Sequence, residues 1–244
     1  MGHFFDTVET IGPGFGFPYY GVQHLAWMAV FLAVIVWSCA VYRNSGWRKR
    51  RQWRRVVAIL LAADELFKVV MLLIGGNFML KYLPFNLCSI NIFLIAPRVT
   101  AVKSAGEFFV SDWIPAAIAA LVFPTWATLP PANFMYNHSF TIHILLALYP
   151  IVLTVGGDIV PEWRIFPKCV LLLVMAVPIC VFNLLGDTNF MFLMHPVPGS
   201  PLLWFEERWE NHLLRDPVLL MAAAAVMSVP TRFMGQKRRR VYPG

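Results

Sequence analysis

The sequence predicts an all-α fold: a polytopic membrane protein forming a seven-transmembrane-helix bundle, with a single transmembrane domain over residues 1–244. Three observations lead there. Hydrophobic residues fill 59% of the 244 positions and charged residues only 14%, whereas a soluble domain carries roughly a quarter; mean hydropathy is +0.64. Apolar runs recur at lengths close to the about 20 residues that a span requires. The basic residues collect on alternate loops, as expected when cytoplasmic loops hold the Lys and Arg.

The spans are expected at His24–Val41, Val56–Ile74, Pro84–Val102, Phe109–Trp126, Asn137–Val155, Cys169–Leu185 and Pro217–Met234. With seven spans, sixteen of the twenty Lys and Arg residues fall on one side: the block Arg43–Arg55, the Arg98/Lys103 and Arg164/Lys168 loops, and the C-terminal tail. The other side receives Lys81, Arg208 and Arg215, and Lys68 lies within a span. The N-terminus is therefore predicted outside and the C-terminus cytoplasmic. A six-span arrangement would put the two most basic segments on opposite sides. Asp6 and Glu9 precede the first span without an early Lys or Arg, so no cleaved secretory leader is expected.

The longest loop, Gly186 to Asp216, is then external. Within it "PLLWFEERWENHLL" sets Leu202, Phe205, Trp209 and Leu213 on one helical stripe opposite Glu206, Glu207, Arg208 and Glu210, the pattern of an interfacial helix. The net charge of +7 sits beside apolar segments, which points to lipid headgroups as partners and away from nucleic acid. The cysteines Cys39, Cys88, Cys169 and Cys180 show no disulfide or metal spacing. No zinc signature or phosphate-cradling glycine loop is present, so neither a metal nor a cofactor is expected. A multi-pass protein of the cell membrane is the resulting localisation.

Polar residues inside spans are the informative exception, because each is costly in hydrocarbon unless paired. The stretch "LPFNLCSINIFLIAP" places Asn86, Cys88, Ser89 and Asn91 around all sides of the third span, which should therefore be enclosed by other helices. Span direction brings these residues to one outer-half layer with His24, Glu65, Lys68, His138, His143 and Asn183. Asp64 and Lys68 stand at i, i+4 and form a favourably oriented pair, and Asp64, Glu65 or both should lie within salt-bridge reach of Lys68. Asn86, Ser89, Asn91 and Asn183 read simply as interhelical hydrogen-bond glue, His24 and His138 as interface anchors, and Cys39, Cys169 and Cys180 as small apolar packers.

Cys88 and His143 stand apart. A thiol and an imidazole at similar depth on neighbouring helices are the minimum for a nucleophile with its base. Asn86 and Ser89 would then donate to the oxyanion, Glu65 would orient the histidine, and Asp64, Lys68, His138 and Asn183 would complete a supporting polar layer. Two readings of other classes stay open: a non-catalytic seven-helix protein whose outer pocket binds or transports a small ligand, and a structural subunit of a larger membrane-protein complex.

The stretches "ETIGPGFGFPYYGVQHLAW", "LPFNLCSINIFL", "FTIHILLALYPIVL" and "LLGDTNFMFLMHPVPGSPLLWF" follow one another along most of the chain. They resemble the YwaF-type bacterial integral membrane proteins, related to the vertebrate transmembrane protein 164 acyltransferases. The resemblance implies a seven-helix bundle and, from the vertebrate branch, thioester-based acyl transfer between lipids by a Cys/His pair. By position His143 matches the family histidine of the fifth span. The vertebrate cysteine follows Leu-Pro directly, where this chain has Phe85. Bacterial members more often read Leu-Pro-Leu-His-Leu-Cys, which matches Cys88 and puts Asn86 where that motif has histidine.

Overall fold

The computed structural model describes residues 2–95, 116–159 and 165–195. Among these the chain is helical, without a strand: α1 (Val22–Arg43), α2 (Trp47–Ile74), α3 (Leu87–Ile95), α4 (residues 116–122), α5 (Phe134–Gly156) and α6 (Ile165–Gly186). Short 3-10 turns occupy Leu80–Tyr82 and Phe190–Phe192. The end of the expected third span, the start of the fourth, the whole seventh span, the amphipathic stretch 202–213 and the basic tail lie outside the described residues.

Among the described residues two helices, α1 and α5, are long and apolar enough to cross a membrane. They occupy different places. Only 17% of the apolar window of α1 is buried against 61% of that of α5, so α5 is the central helix and α1 lies at the periphery. Leu25, Leu32, Val36 and Trp37 on α1 are exposed, an apolar face that suits lipid. The helix α2 is 28 residues long but carries Asp64, Glu65 and Lys68 in its apolar half, and α6 contributes the apolar segment Leu173–Gly186.

Local chemistry sets the boundaries. Asn133 caps α5: its Oδ1 accepts from the backbone N–H of Met135 at 2.8 Å and of Tyr136 at 3.2 Å, relieving two donors that helix geometry leaves open. The left-handed Gly157 (φ 88°) ends the same helix, as glycine does without steric cost. Helix α4 stops at residue 122, short of the expected Trp126, because Pro124 disfavours helical backbone at the residue before it. Trp126 therefore stands in the turn that follows. Helix α2 starts at Trp47, nine residues before the expected Val56, and runs straight through the basic block.

Asp158 explains that extension. Its Oδ1 lies 2.7 Å from Arg50 Nη1, and its Oδ2 lies 2.7 Å from Arg54 Nη1. The Tyr42 hydroxyl donates to Oδ2 at 2.5 Å. Arg54 is buried and is no part of a solvated basic fringe. One carboxylate thus ties the C-terminal end of α1, the N-terminal half of α2 and the end of α5 together.

The N-terminal segment clasps the opposite end. The carbonyls of His3 and Asp6 accept from Asn133 Nδ2 at 2.8 and 2.7 Å, and the Phe4 carbonyl accepts from the N–H of Phe134 at 3.2 Å. Asn77 Nδ2 donates to the Phe5 carbonyl at 2.8 Å, and Lys81 Nζ lies 2.7 Å from Glu9 Oε1. The N–H of Phe17 reaches the Ala127 carbonyl at 2.9 Å. A Cβ on Gly16 would stand 2.1 Å from that same carbonyl oxygen, so only glycine permits the approach. The motif "GPGFGF" is a docking turn.

Beneath the clasp an aromatic cluster joins α1, α5 and the α4–α5 turn. Trp27 stacks on Phe140 at 5.0 Å and 2°, and Trp126 meets Phe140 edge-on at 5.2 Å, contacts each worth about 0.5–1.5 kcal/mol beyond area burial. His24, expected as an interface anchor, is fully buried here. Its Nδ1 accepts from the N–H of Tyr20 at 3.0 Å, so Nε2 carries the proton and donates to the Leu121 carbonyl at 2.7 Å. It is a satisfied structural bridge between α1 and α4.

Candidate functional site

The site is built on α2, α3 and α5, with α3 packed against both of the others. From α2 come Asp64, Glu65 and Lys68. Lys68 pairs with Glu65 at i, i+3, both side chains being 8% exposed; an unpaired ammonium at mid-membrane would cost about 2.5–3.5 kcal/mol. The expected Asp64–Lys68 pair is corrected by this. Asp64 turns instead to α5, where its Oδ2 lies 2.9 Å from His138 Nδ1. That contact falls outside hydrogen-bond alignment, and it is an ion pair when His138 is protonated. Contact between neighbouring helices takes Asp64 away from the pairing along its own helix.

His143 lies five residues further along α5. Its Nδ1 is 2.6 Å from the carbonyl oxygen of Ser139. A carbonyl only accepts, so Nδ1 holds the proton and Nε2 is left with a free lone pair. The orienting group is thus a backbone carbonyl one turn back, and not Glu65 as expected, whose Oε1 is engaged by Lys68. The indole of Trp126 stacks on the imidazole at 5.1 Å and 18°, which fixes the ring's plane.

Cys88 is a free thiol, half-buried on α3 and packed against the core. Ser89 and Asn91 beside it are buried, whereas Phe93 is 58% exposed. The most enclosed of the described helices is therefore α5, and α3 keeps an open side one turn beyond Asn91. Asn86 Oδ1 accepts from the N–H of Met191 at 3.1 Å. Asn183 is committed elsewhere: its Oδ1 accepts from Thr188 Oγ1 at 2.8 Å and from the N–H of Phe190 at 2.9 Å, and its Nδ2 donates to the Phe190 carbonyl at 3.0 Å. Asn86 and Asn183 together hold a turn in which Asp187, Met191 and Phe192 have φ of 48°, 57° and 54°, backbone that non-glycine residues adopt at a cost. Glue describes Asn183 well, though it binds a turn and not a second helix.

Five buried atoms of these residues lack a hydrogen-bond partner among the described residues: Glu65 Oε2, Asn91 Oδ1, Trp126 Nε1, and Asp64 Oδ2 and His138 Nδ1, which face each other at 2.9 Å. Each such atom costs about 1–3 kcal/mol, so α2, α3, α5 and the α4–α5 turn each present a buried polar atom that calls for a partner. No group of three or more His, Cys, Asp or Glu among the described residues is arranged to hold a metal ion. Trp126 is a site residue that spacing could not reveal. Its tryptophan lies at the end of an apolar run, where such rings are ordinary anchors, and its unsatisfied N–H exists only in three dimensions. The free thiols Cys39 and Cys180 lie away from this group on α1 and α6, as small packers would.

The fold and site together define an all-helical membrane protein with a polar, ionisable layer buried among its helices. The chain matches the model of the TMEM164 family over residues 19–228, and it belongs to that family. No curated protein and no solved structure matches the chain.

Proposed function

We propose that this protein is a lipid-directed enzyme of the cell membrane, in which Cys88 attacks the ester carbonyl of a glycerolipid and His143 serves as its base. The observation that carries the reading is the tautomer of His143. With Nδ1–H held by the Ser139 carbonyl, the lone pair on Nε2 is free to take a proton, and a thiol in apolar surroundings needs such an acceptor. The proton of Cys88 Sγ passes to Nε2 and the thiolate adds to the carbonyl carbon. The tetrahedral intermediate then expels the lipid alcohol, which takes the proton back from Nε2 and leaves a thioester on Cys88. A second lipid hydroxyl, or water, releases the acyl group. Asn86 and Ser89 flank Cys88 at the start of α3 and donate toward the developing oxyanion.

The architecture that goes with this chemistry is a single seven-span domain, N-terminus outside and C-terminus cytoplasmic, with the polar layer in the outer half and an outer-leaflet lipid as substrate. Its support is the sixteen-to-three division of basic residues between alternate loops.

A non-catalytic ligand pocket is the second reading. It is favoured by Glu65 Oε2 and Asn91 Oδ1, two buried acceptors without donors among the described residues, which a ligand hydroxyl or ammonium would satisfy. Substitution separates the two. Cys88→Ala and His143→Ala should each abolish turnover of phosphatidylcholine vesicles at near-normal folded yield, while Cys39→Ala and Cys180→Ala do little. A pocket protein would instead retain an unmodified small ligand in native mass spectrometry and show no turnover to lose.

A further inference from the structure

We infer that the indole N–H of Trp126 is the principal oxyanion donor of the site, a role that rests on the acyl-enzyme reading above. Three observations converge on it. Trp126 is 5% exposed and its Nε1 is buried without an acceptor among the described residues. The indole lies parallel to His143, 5.1 Å between ring centres, so it packs face to face on the ring whose Nε2 is the base. The residue is held from outside the site: Phe140 meets it edge-on at 5.2 Å, and the N-terminal segment fixes the next residue through the Phe17-to-Ala127 bond at 2.9 Å. A donor that is rigid, dry and unpaired in the resting protein is what a charge developing only during reaction requires.

The chemistry balances with this donor in place. When Cys88 Sγ bonds to the ester carbon, the carbonyl π pair moves onto oxygen. Trp126 Nε1–H donates a hydrogen bond to that oxygen without giving up its proton. The pair returns as the carbon–oxygen bond to the leaving alcohol breaks, and the alcohol is protonated by His143 Nε2–H. Asn86 has its Oδ1 engaged by Met191 and serves as the lesser donor through its amide nitrogen.

Two reactions of the same thiol distinguish this role from packing. Acylation by an ester passes through an oxyanion; alkylation by iodoacetamide is a displacement at a saturated carbon and does not. The purified protein is mixed with phosphatidylcholine vesicles, and acylation of Cys88 is timed by intact mass, with iodoacetamide alkylation timed in parallel. In Trp126→Phe, acylation should slow by about 100-fold or more while alkylation stays within about twofold of wild type. Replacing Trp126 with 3-benzothienylalanine, which keeps the shape and stacking but has no N–H, should do the same, and it covers the case in which the phenylalanine variant fails to fold. Equal slowing of both reactions would make Trp126 a support for His143 only, and unchanged acylation would remove it from the site; either overturns the inference. A wild-type protein that is alkylated at Cys88 but never acylated brings down the acyl-enzyme reading itself, and the Trp126 role with it.

Discussion

Arg54 on α2 and Asp158 beyond the end of α5 meet at 2.7 Å, with the arginine side chain 5% and the aspartate 15% exposed. Arg50 and Tyr42 share the same carboxylate. Removing the partner of a buried charge is far more damaging than removing a surface pair, about 3–5 kcal/mol against 0–1. Asp158→Ala should therefore lower the thermal unfolding midpoint in detergent much more than Arg55→Ala, which removes an exposed arginine of the same block. Equal effects would mean that the cluster does not lock the helices.

The clasp at the opposite end should loosen in acid. Burial pushes the Glu9 carboxyl up, but hydrogen bonds from Lys81, Tyr82 and Thr7 and the charge of Lys81 outweigh it and leave it below its ordinary 4.5. A carboxyl depressed on folding stabilises the folded state above its unfolded value, and that stability is lost as pH falls through the folded value. Hydrogen exchange in residues 2–21 should accordingly rise, relative to the intrinsic rate, only below about pH 4.5. Glu9→Gln should show raised exchange already at neutral pH and no further acid step from this group. An unchanged acid step in that variant would assign it to another carboxyl.

Asn133 joins the clasp to α5, and Gly16 joins it to the turn bearing Trp126. Asn133→Ala loses a helix cap worth about 0.5–2 kcal/mol together with two bonds to the N-terminal segment. Gly16→Ala forces a Cβ into the Ala127 carbonyl and should displace the segment. Both variants should become sensitive to proteolysis near the N-terminus before the bundle unfolds, whereas Gly46→Ala, with open space at its Cβ, should not. Coincident cleavage and unfolding in all three would show that the segment does not open as a unit.

Orientation is open to reporter fusions. A reporter at Gly244 and another between Pro196 and Pro201 should report opposite sides, with Gly244 cytoplasmic. Both on one side would remove the seven-span arrangement.

Much of the helix order is legible in the residues, because apolar runs of sufficient length admit little else in hydrocarbon. The span expected at Asn137–Val155 became α5 from Phe134 to Gly156, and its start three residues earlier is set by the cap that Asn133 makes. Less legible were the features that depend on partners distant in the chain. The extension of α2 through Arg50 and Arg54 needs Asp158, about a hundred residues away. The partner of Lys68 stayed open between Asp64 and Glu65 because i, i+3 and i, i+4 are equally available on a helix, and only the position of His138 decides for Glu65. His143 was visible as a polar residue in a span, but its tautomer needed the Ser139 carbonyl. Trp126 carried no signal at all, since a buried unpaired N–H is a property of the fold.

The acyl-enzyme on Cys88 is tested most directly by intact-mass spectrometry of the protein after incubation with phosphatidylcholine vesicles and quenching in acid. The expected result is a mass increment of one acyl chain, removed by neutral hydroxylamine as a thioester would be, absent from Cys88→Ala and failing to accumulate in His143→Ala. An increment that persists in Cys88→Ala, or lipid turnover by a protein whose Cys88 never carries an acyl group, would contradict it.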